Sequence, residues 1–211
     1  MSLNGLYKSL TAAVLLLMHM TSHAQGSDLL DRFYASVSDS CLNMTYSYSA
    51  RVSGIDNIGQ GTLLSQGTMW TLRGNGVEMY CDSKSIWVVD PSMKEVVVEP
   101  APEDEQTQWM SNPAVIFSKM KDMFKMTEAL TSSDGKAVKY ILAPKSESNI
   151  DWCNIEILKS DASVRRASLA LSDGTLIKIE VSSMKLTPEL SVEAFRPQTV
   201  FDTSWILTDL R

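Results

Sequence analysis

The sequence predicts an α+β fold built on one large, meandering antiparallel sheet. Three features predict it. Residues 42–52 alternate apolar and polar side chains, the strongest period-two run in the chain. Residues 61–99 hold five short strand-like runs separated by turn residues. Helical patterns occur once before this block and once after it, with more strands following, an order that suits α+β architecture. The chain has 211 residues and is 44% hydrophobic, enough to bury a sizeable core as one domain without staples.

At the N-terminus, Lys8, the apolar run Leu10 to Met20 and the small residues around Ser22-His23-Ala24 read as a signal peptide over 1–24, cleaved before Gln25. The run is too short to span a bilayer. No cysteine follows the cleavage point, so the expected mature product is exported, soluble and not lipid-anchored. Residues 25–211 then form a single domain. Ser27 is a candidate N-cap, and Leu29, Leu30, Phe33, Tyr34 and Val37 predict an amphipathic helix over 28–38. The strand 42–52 follows, then a loop around Gly54 to Gly59. GTLLSQ, MWTLR, VEMYC, SIWVV and KEVVVE come next as strands. Gly74-Asn75-Gly76 marks a hairpin, because Asn and Gly tolerate the positive φ of a primed turn. Asp90-Pro91 marks another turn. After the loop PAPEDEQTQ, Asn112 and Pro113 predict the start of a helix over 114–126, carrying Ile116, Met120, Met123 and Phe124 and flanked by Met110 and Met126. Strands return at 138–142, 152–158, 166–171 and 175–181, with turns at Asp134-Gly135 and Asp173-Gly174. Thr187 to Phe195 suggests a short helical turn and 199–208 a last strand. No internal repeat or second domain boundary is visible.

Charge and residue types exclude several functions. The net charge is −6, and loss of residues 1–24 removes one Lys and both His, leaving −7. An acidic chain without Lys/Arg runs does not seek nucleic acid or an anionic membrane surface. Without histidine, the mature chain has no Ser-His-Asp or Cys-His arrangement and no usual zinc site. Ser182…Lys185 and Ser133…Lys136 match the S-x-x-K pattern, but at a strand end and in a turn, where this chemistry needs the serine opening a helix. Glu103 and Glu105 lie in a solvated loop. Asn43-Met44-Thr45 matches a glycosylation sequon inside a strand. Cys41, Cys81 and Cys153 allow one disulfide with one thiol left over, or three small buried side chains. No cofactor or metal is implied.

The unusual feature is apolar. Ile86-Trp87-Val88-Val89 is hydrophobic at four consecutive positions, so both faces of that strand are apolar, and Trp70, Leu72, Met79 and Val96-Val97-Val98 lie in its neighbours. Either one face is ordinary core under the helices, or the sheet curls around a pocket for an apolar ligand. Flexible methionines suit the second arrangement; apolar stripes in general favour the first.

Residues 61–99 resemble the LolA family, the periplasmic carriers of outer-membrane lipoproteins. The resemblance rests on Gly61 and Leu63, on Trp70, on Cys81-Asp82-Ser83-Lys84, on Ile86-Trp87 and on Asp90-Pro91; Gly74-Asn75-Gly76 and Met79-Tyr80-Cys81-Asp82 are most similar to the form found in Bacteroides-type bacteria. The signal peptide, the first helix and Glu193-Ala194-Phe195-Arg196-Pro197 also fit. The resemblance implies an open, half-closed antiparallel β-barrel with helices packed as a lid over its concave face. It implies a cavity for acyl chains walled by Leu63, Trp70, Leu72, Met79 and Trp87, with Met120, Met123 and Phe124 in the lid. It further implies a monomer in the periplasm that takes acylated lipoproteins from an inner-membrane donor complex to an outer-membrane acceptor and makes or breaks no bond. The family's lid-latching arginine follows the G-x-L strand, and that place here is Gln66-Gly67. A lipid- or protein-binding sensor on the same fold is the alternative, and an envelope hydrolase is disfavoured by the missing histidine.

Overall fold

The computed structural model describes residues 28–38, 40–102, 117 and 120–211. The expected signal peptide over 1–24, the candidate N-cap Ser27, the expected loop around Glu103 and Glu105, and Met110, Asn112, Pro113 and Ile116 lie outside the described residues. Among the described residues, no helix is long and apolar enough to cross a membrane.

Helix α1 covers 28–38, and Leu29, Leu30, Phe33, Tyr34 and Val37 are all buried, as their helical spacing requires. Among the described residues twelve strands follow: β1 (Cys41–Val52), β2 (Ile55–Gln66), β3 (Met69–Gly74), β4 (Val77–Cys81), β5 (Ser85–Asp90), β6 (Glu95–Pro100), β7 (Phe124–Thr131), β8 (Ala137–Pro144), β9 (Ile150–Leu158), β10 (Val164–Leu171), β11 (Leu176–Thr187) and β12 (Ile206–Asp209). A second helix, α2, includes 117 and 120–123. A 3-10 turn covers Val192–Phe195. All strands join one open sheet in the order β12-β6-β5-β4-β3-β2-β1-β11-β10-β9-β8-β7. Neighbours are antiparallel except β12, which runs parallel to β6 at one edge.

The turn chemistry explains the meander. Asn75 (φ 54°) and Gly76 (φ 82°) form a two-residue loop between the paired Gly74 and Val77, as a type I′ hairpin requires. Ser53 (φ 50°) and Gly54 (φ 80°) do the same between Val52 and Ile55. The expected loop at 54–59 is therefore mostly strand: β2 begins at Ile55. Glycines in that stretch serve close approach. A Cβ at Gly59 would fall 2.6 Å from the Tyr48 ring, and one at Gly61 would fall 2.6 Å from the Arg73 carbonyl oxygen. Tyr48 and Tyr46 lie directly opposite these glycines on β1, so their rings cover the space the missing side chains leave.

Directly opposed residues share a face of the sheet. On the inner face, Leu42 and Met44 of β1, Leu63 of β2, Val138, Tyr140 and Leu142 of β8, Cys153, Ile155 and Ile157 of β9 and Ala167 and Leu169 of β10 form one core with α1, Phe117, Met120 and Phe124. A second inner-face cluster, Trp70, Cys81 and Ile86, adjoins it through Leu72 and is flanked by Met79, Val88 and Ala101. The second apolar face of β5 has a separate cover. Trp87 and Val89 face outward with Tyr80, Val96 and Val98, and Phe201 and Trp205 of the C-terminal segment pack on them.

Candidate functional site

The inner face carries an apolar row that crosses seven strands in register: Met184, Met44, Leu63, Leu72, Met79, Val88 and Val97. Met44 and Leu63 are buried beneath the helices, at 2% exposure each. Leu72, Met79, Val88 and Val97, on β3 to β6, are only half-buried. From Leu63 to Val97 the row spans four strand spacings, about 19 Å. No ionisable side chain interrupts it.

Seven of the eight candidate residues lie on this side of the sheet. Leu63 and Trp70 are buried on the inner face, and Leu72 and Met79 are half-buried beside them. Met120 is fully buried in α2 and Met123 is half-buried against the same core. Phe124 is buried there too, but as the first residue of β7, paired with Pro144: α2 ends at 123, and Met126 is an exposed strand residue. Trp87 does not belong with the others. Its side chain faces outward, opposite Tyr80 and Val98, in the cluster that Phe201 and Trp205 cover. Sequence parity could not separate Trp87 from Val88, because both faces of β5 are apolar.

Two polar fastenings escaped the sequence reading. Gln66 accepts a hydrogen bond from the Leu190 N–H at 2.7 Å and donates to the Leu190 carbonyl at 3.2 Å. Asp82, with its side chain 4% exposed, accepts from the backbone N–H groups of Lys84 and Ser85, both at 3.0 Å, and from the Arg196 guanidinium at 2.7 Å. Burial pushes the Asp82 carboxyl up, but the two N–H bonds and Arg196 outweigh it, so the group sits below the usual carboxylate range. Both fastenings hold the segment after β11 against the β2–β5 side of the sheet.

All three cysteines are free and buried, the second of the two arrangements the sequence allows. Burial pushes the Cys153 thiol up to about 12 and raises those of Cys41 and Cys81 as well. Ser133 lies in the β7–β8 turn and Ser182 within β11, neither at a helix start. Among the described residues, no three His, Cys, Asp or Glu side chains group to hold a metal ion. A cavity of about 920 Å³ opens elsewhere, lined by residues of β1 to β4, Ser182 of β11 and two turns; none of the eight candidate residues contributes to it.

The fold recurs in an uncharacterized conserved protein from Thermus thermophilus, with a TM-score of 0.53 at 12% identity over 88% of this chain and 99% of that one. Looser similarity links it to a putative outer membrane lipoprotein-sorting protein domain from Vibrio parahaemolyticus (TM-score 0.43, 9% identity, 82% and 96% covered). A LolA superfamily protein from Nitrosomonas europaea has a TM-score of 0.40 at 10% identity, with 82% and 97% covered. No curated protein matches the chain. The family model described as outer membrane lipoprotein carrier protein LolA matches residues 70–198, well over half of the sequence, and the chain belongs to that family.

Proposed function

We propose that the protein is a periplasmic, non-enzymatic carrier that shelters the acyl chains of lipoproteins on the inner face of its half-barrel, for transfer towards the outer membrane. The observation that carries this reading is the half-buried row Leu72, Met79, Val88 and Val97, which continues a helix-covered core without an intervening charge. Trp70, Leu63 and the lid residues Met120, Met123 and Phe124 extend the same surface; Trp87 is not part of it. Family membership supports the cargo class.

The physical need is simple. Burying a CH₂ is worth about 0.8 kcal/mol, so a sixteen-carbon chain left in water costs on the order of 12 kcal/mol. A carrier must shield that surface and still release it. Met79 and Met123 give the wall and lid side chains that adapt to variable shapes. The apolar row requires no bond to be made or broken.

Mass spectrometry of what co-purifies with the exported protein tests the reading. Acylated lipoprotein, lost when Met79 or Leu72 is replaced by Glu, supports the carrier. Free lipid alone, or one stable non-acylated protein partner, overturns it in favour of a sensor.

A further inference from the structure

A second site lies on the outer face of the same sheet. Thr45 of β1 opposes Thr62 of β2, Thr62 opposes Arg73 of β3, and Arg73 opposes Glu78 of β4. One step along, Ser47 opposes Gln60. Opposed residues share a face, so these side chains form a grid with one strand spacing, about 4.8 Å, between columns. The grid lines the cavity of about 920 Å³, whose rim is made by the Asn75–Gly76 turn, the Pro91–Ser92 turn and Ser182. A β-bulge helps shape it. The β1–β11 register slips between Thr45 and Tyr46, leaving Ser182 unpaired, and its hydroxyl donates to the Thr45 carbonyl at 3.1 Å.

The lining fixes the class of ligand. Arg73 and Glu78 are the two charged residues in it, and they pair with each other at 3.9 Å. Arg73 also donates to the Tyr80 hydroxyl at 3.3 Å and lies 5.5 Å from the centre of its ring, and that hydroxyl donates to Glu78. The ion pair is thus satisfied within the protein and gives no net attraction for an anion. The side chains of Thr45, Ser47, Gln60 and Thr62 make no hydrogen bond to other described residues. Each can both donate and accept. An extended peptide would need an unpaired strand edge, and at these positions β1, β2 and β3 are paired on both sides. Tyr46, Val77 and Pro91 add apolar surface to the lining, but a purely apolar tail would leave the hydroxyls and amide of the grid without partners. A neutral polyhydroxylated ligand matches: its hydroxyls also donate and accept, and several can meet the grid at once.

We propose that this outer-face cavity binds a short neutral glycan, independently of the acyl-chain face. Thr62, Gln60, Ser47 and Thr45 supply the hydrogen bonds, and the Arg73–Glu78 pair forms the wall.

The test begins with the purified full-length mature protein on an array of neutral glycans. Isotope-labelled protein is then titrated by NMR with the best neutral oligosaccharide and, in parallel, with an acidic oligosaccharide of the same length. The expected result is shift changes confined to 45–47, 60–62, 73–78, 91–92 and 182, with the neutral sugar preferred. Thr62→Val and Gln60→Ala should each weaken binding by about tenfold, the effect of losing one or two hydrogen bonds. Both positions are exposed, so melting temperature should not move. A Met79→Glu variant should bind the sugar as the parent does, which separates this site from the apolar face. No neutral glycan bound, shifts elsewhere, preference for the acidic sugar, or unchanged binding by both variants would each overturn the proposal.

Discussion

Replacing Asp82 by Ala should destabilise the protein by about 2–3 kcal/mol. The Asp82 carboxylate accepts from the Ser85 and Lys84 N–H groups and from Arg196. Ser85 is itself buried, at 6% exposure, so its N–H would lose a charged acceptor with no water to replace it, a cost of about 1–3 kcal/mol. Lys84 is exposed and its N–H would be re-solvated. Arg196 keeps 45% of its side chain in water, so its share is discounted to about 1 kcal/mol or less. For a domain of this size the sum corresponds to a fall in melting temperature of roughly 5–10 °C. Asp82→Asn keeps an acceptor for Ser85 and should cost about half as much, while Arg196→Met should cost less than either. The linkage has a definite sign. The folded-state pKa of Asp82 is depressed, so its contribution is present above the unfolded value, near 3.9, and is lost as pH falls through the lower folded value. The difference between wild type and Asp82→Ala should therefore be full at pH 7 and shrink below about pH 4. Urea titrations of the three variants across pH, followed by tryptophan fluorescence, measure all of this. An Asp82→Ala protein within about 0.5 kcal/mol of wild type at pH 7 would refute the reasoning, since that is the range of uninvolved surface sites.

Three further outcomes are expected. Met79→Glu and Leu72→Glu should each weaken binding of an acyl-chain fluorophore by at least about tenfold, since a lost apolar contact of this size is worth about 1.5–3 kcal/mol; the same change at exposed Met126 should leave it unaltered, and displacement titrations read the contrast. Gly61→Ala should cost about 1–3 kcal/mol, because the added Cβ meets backbone, the Arg73 carbonyl oxygen at 2.6 Å, which cannot swing aside; a denaturant midpoint at the wild-type value would contradict it. The thiols of Cys41, Cys81 and Cys153 should resist a neutral-pH thiol reagent in the native protein and all react after unfolding, since each is at most 3% exposed and held protonated; counting modified thiols by mass before and after urea decides it.

The strands that face a filled core were legible, and those that do not were not. The 42–52 alternation survives in the structure because Leu42 and Met44 are pressed beneath α1. Strand β7 went unseen because it is an edge strand: only Phe124 of its eight residues is buried, so Lys125 to Thr131 show no period-two signal, and the helical spacing of Met120, Met123 and Phe124 ran on into it. The start of β2 was hidden for a related reason. Ile55 to Gln60 extend a hairpin past the end of β3, are almost wholly exposed, and include Gly59, whose missing side chain is replaced by a tyrosine from the opposite strand. For Trp87 the missing fact was distant in sequence, since only Phe201 and Trp205 reveal which of two apolar faces is covered from outside. The polar cavity looks in sequence like any solvated strand face, because Thr, Ser and Gln at alternate positions do not report the turns and the bulge that wall them in.

The distribution of burial around the sheet bears on how a carrier could keep its fold while its ligand comes and goes. Between β8 and β1 the inner face is filled by α1 and α2, with Phe33, Met120, Tyr140, Ile155 and Ile157 at no measurable exposure. Between β3 and β6 the same face is half open, at Leu72, Met79, Val88 and Val97. A sheet left half open on one face must be held by something else, and here the other face supplies it. Phe201 and Trp205 bury the outer side of β4 to β6, β12 pairs along β6, and Gln66 and Asp82 pin the connecting segment at Leu190 and Arg196. Stability on this half of the molecule is thus drawn from the outer face, leaving the inner face the less tightly packed of the two, as a ligand-accepting surface needs to be. The Gln66 amide occupies the place where the family resemblance puts a lid-latching arginine, and it fastens the C-terminal segment instead. Whatever closes the inner face of this protein, then, the grip at that position acts on the outer strap, so cutting it with Gln66→Ala should lower stability while leaving acyl-chain affinity in place.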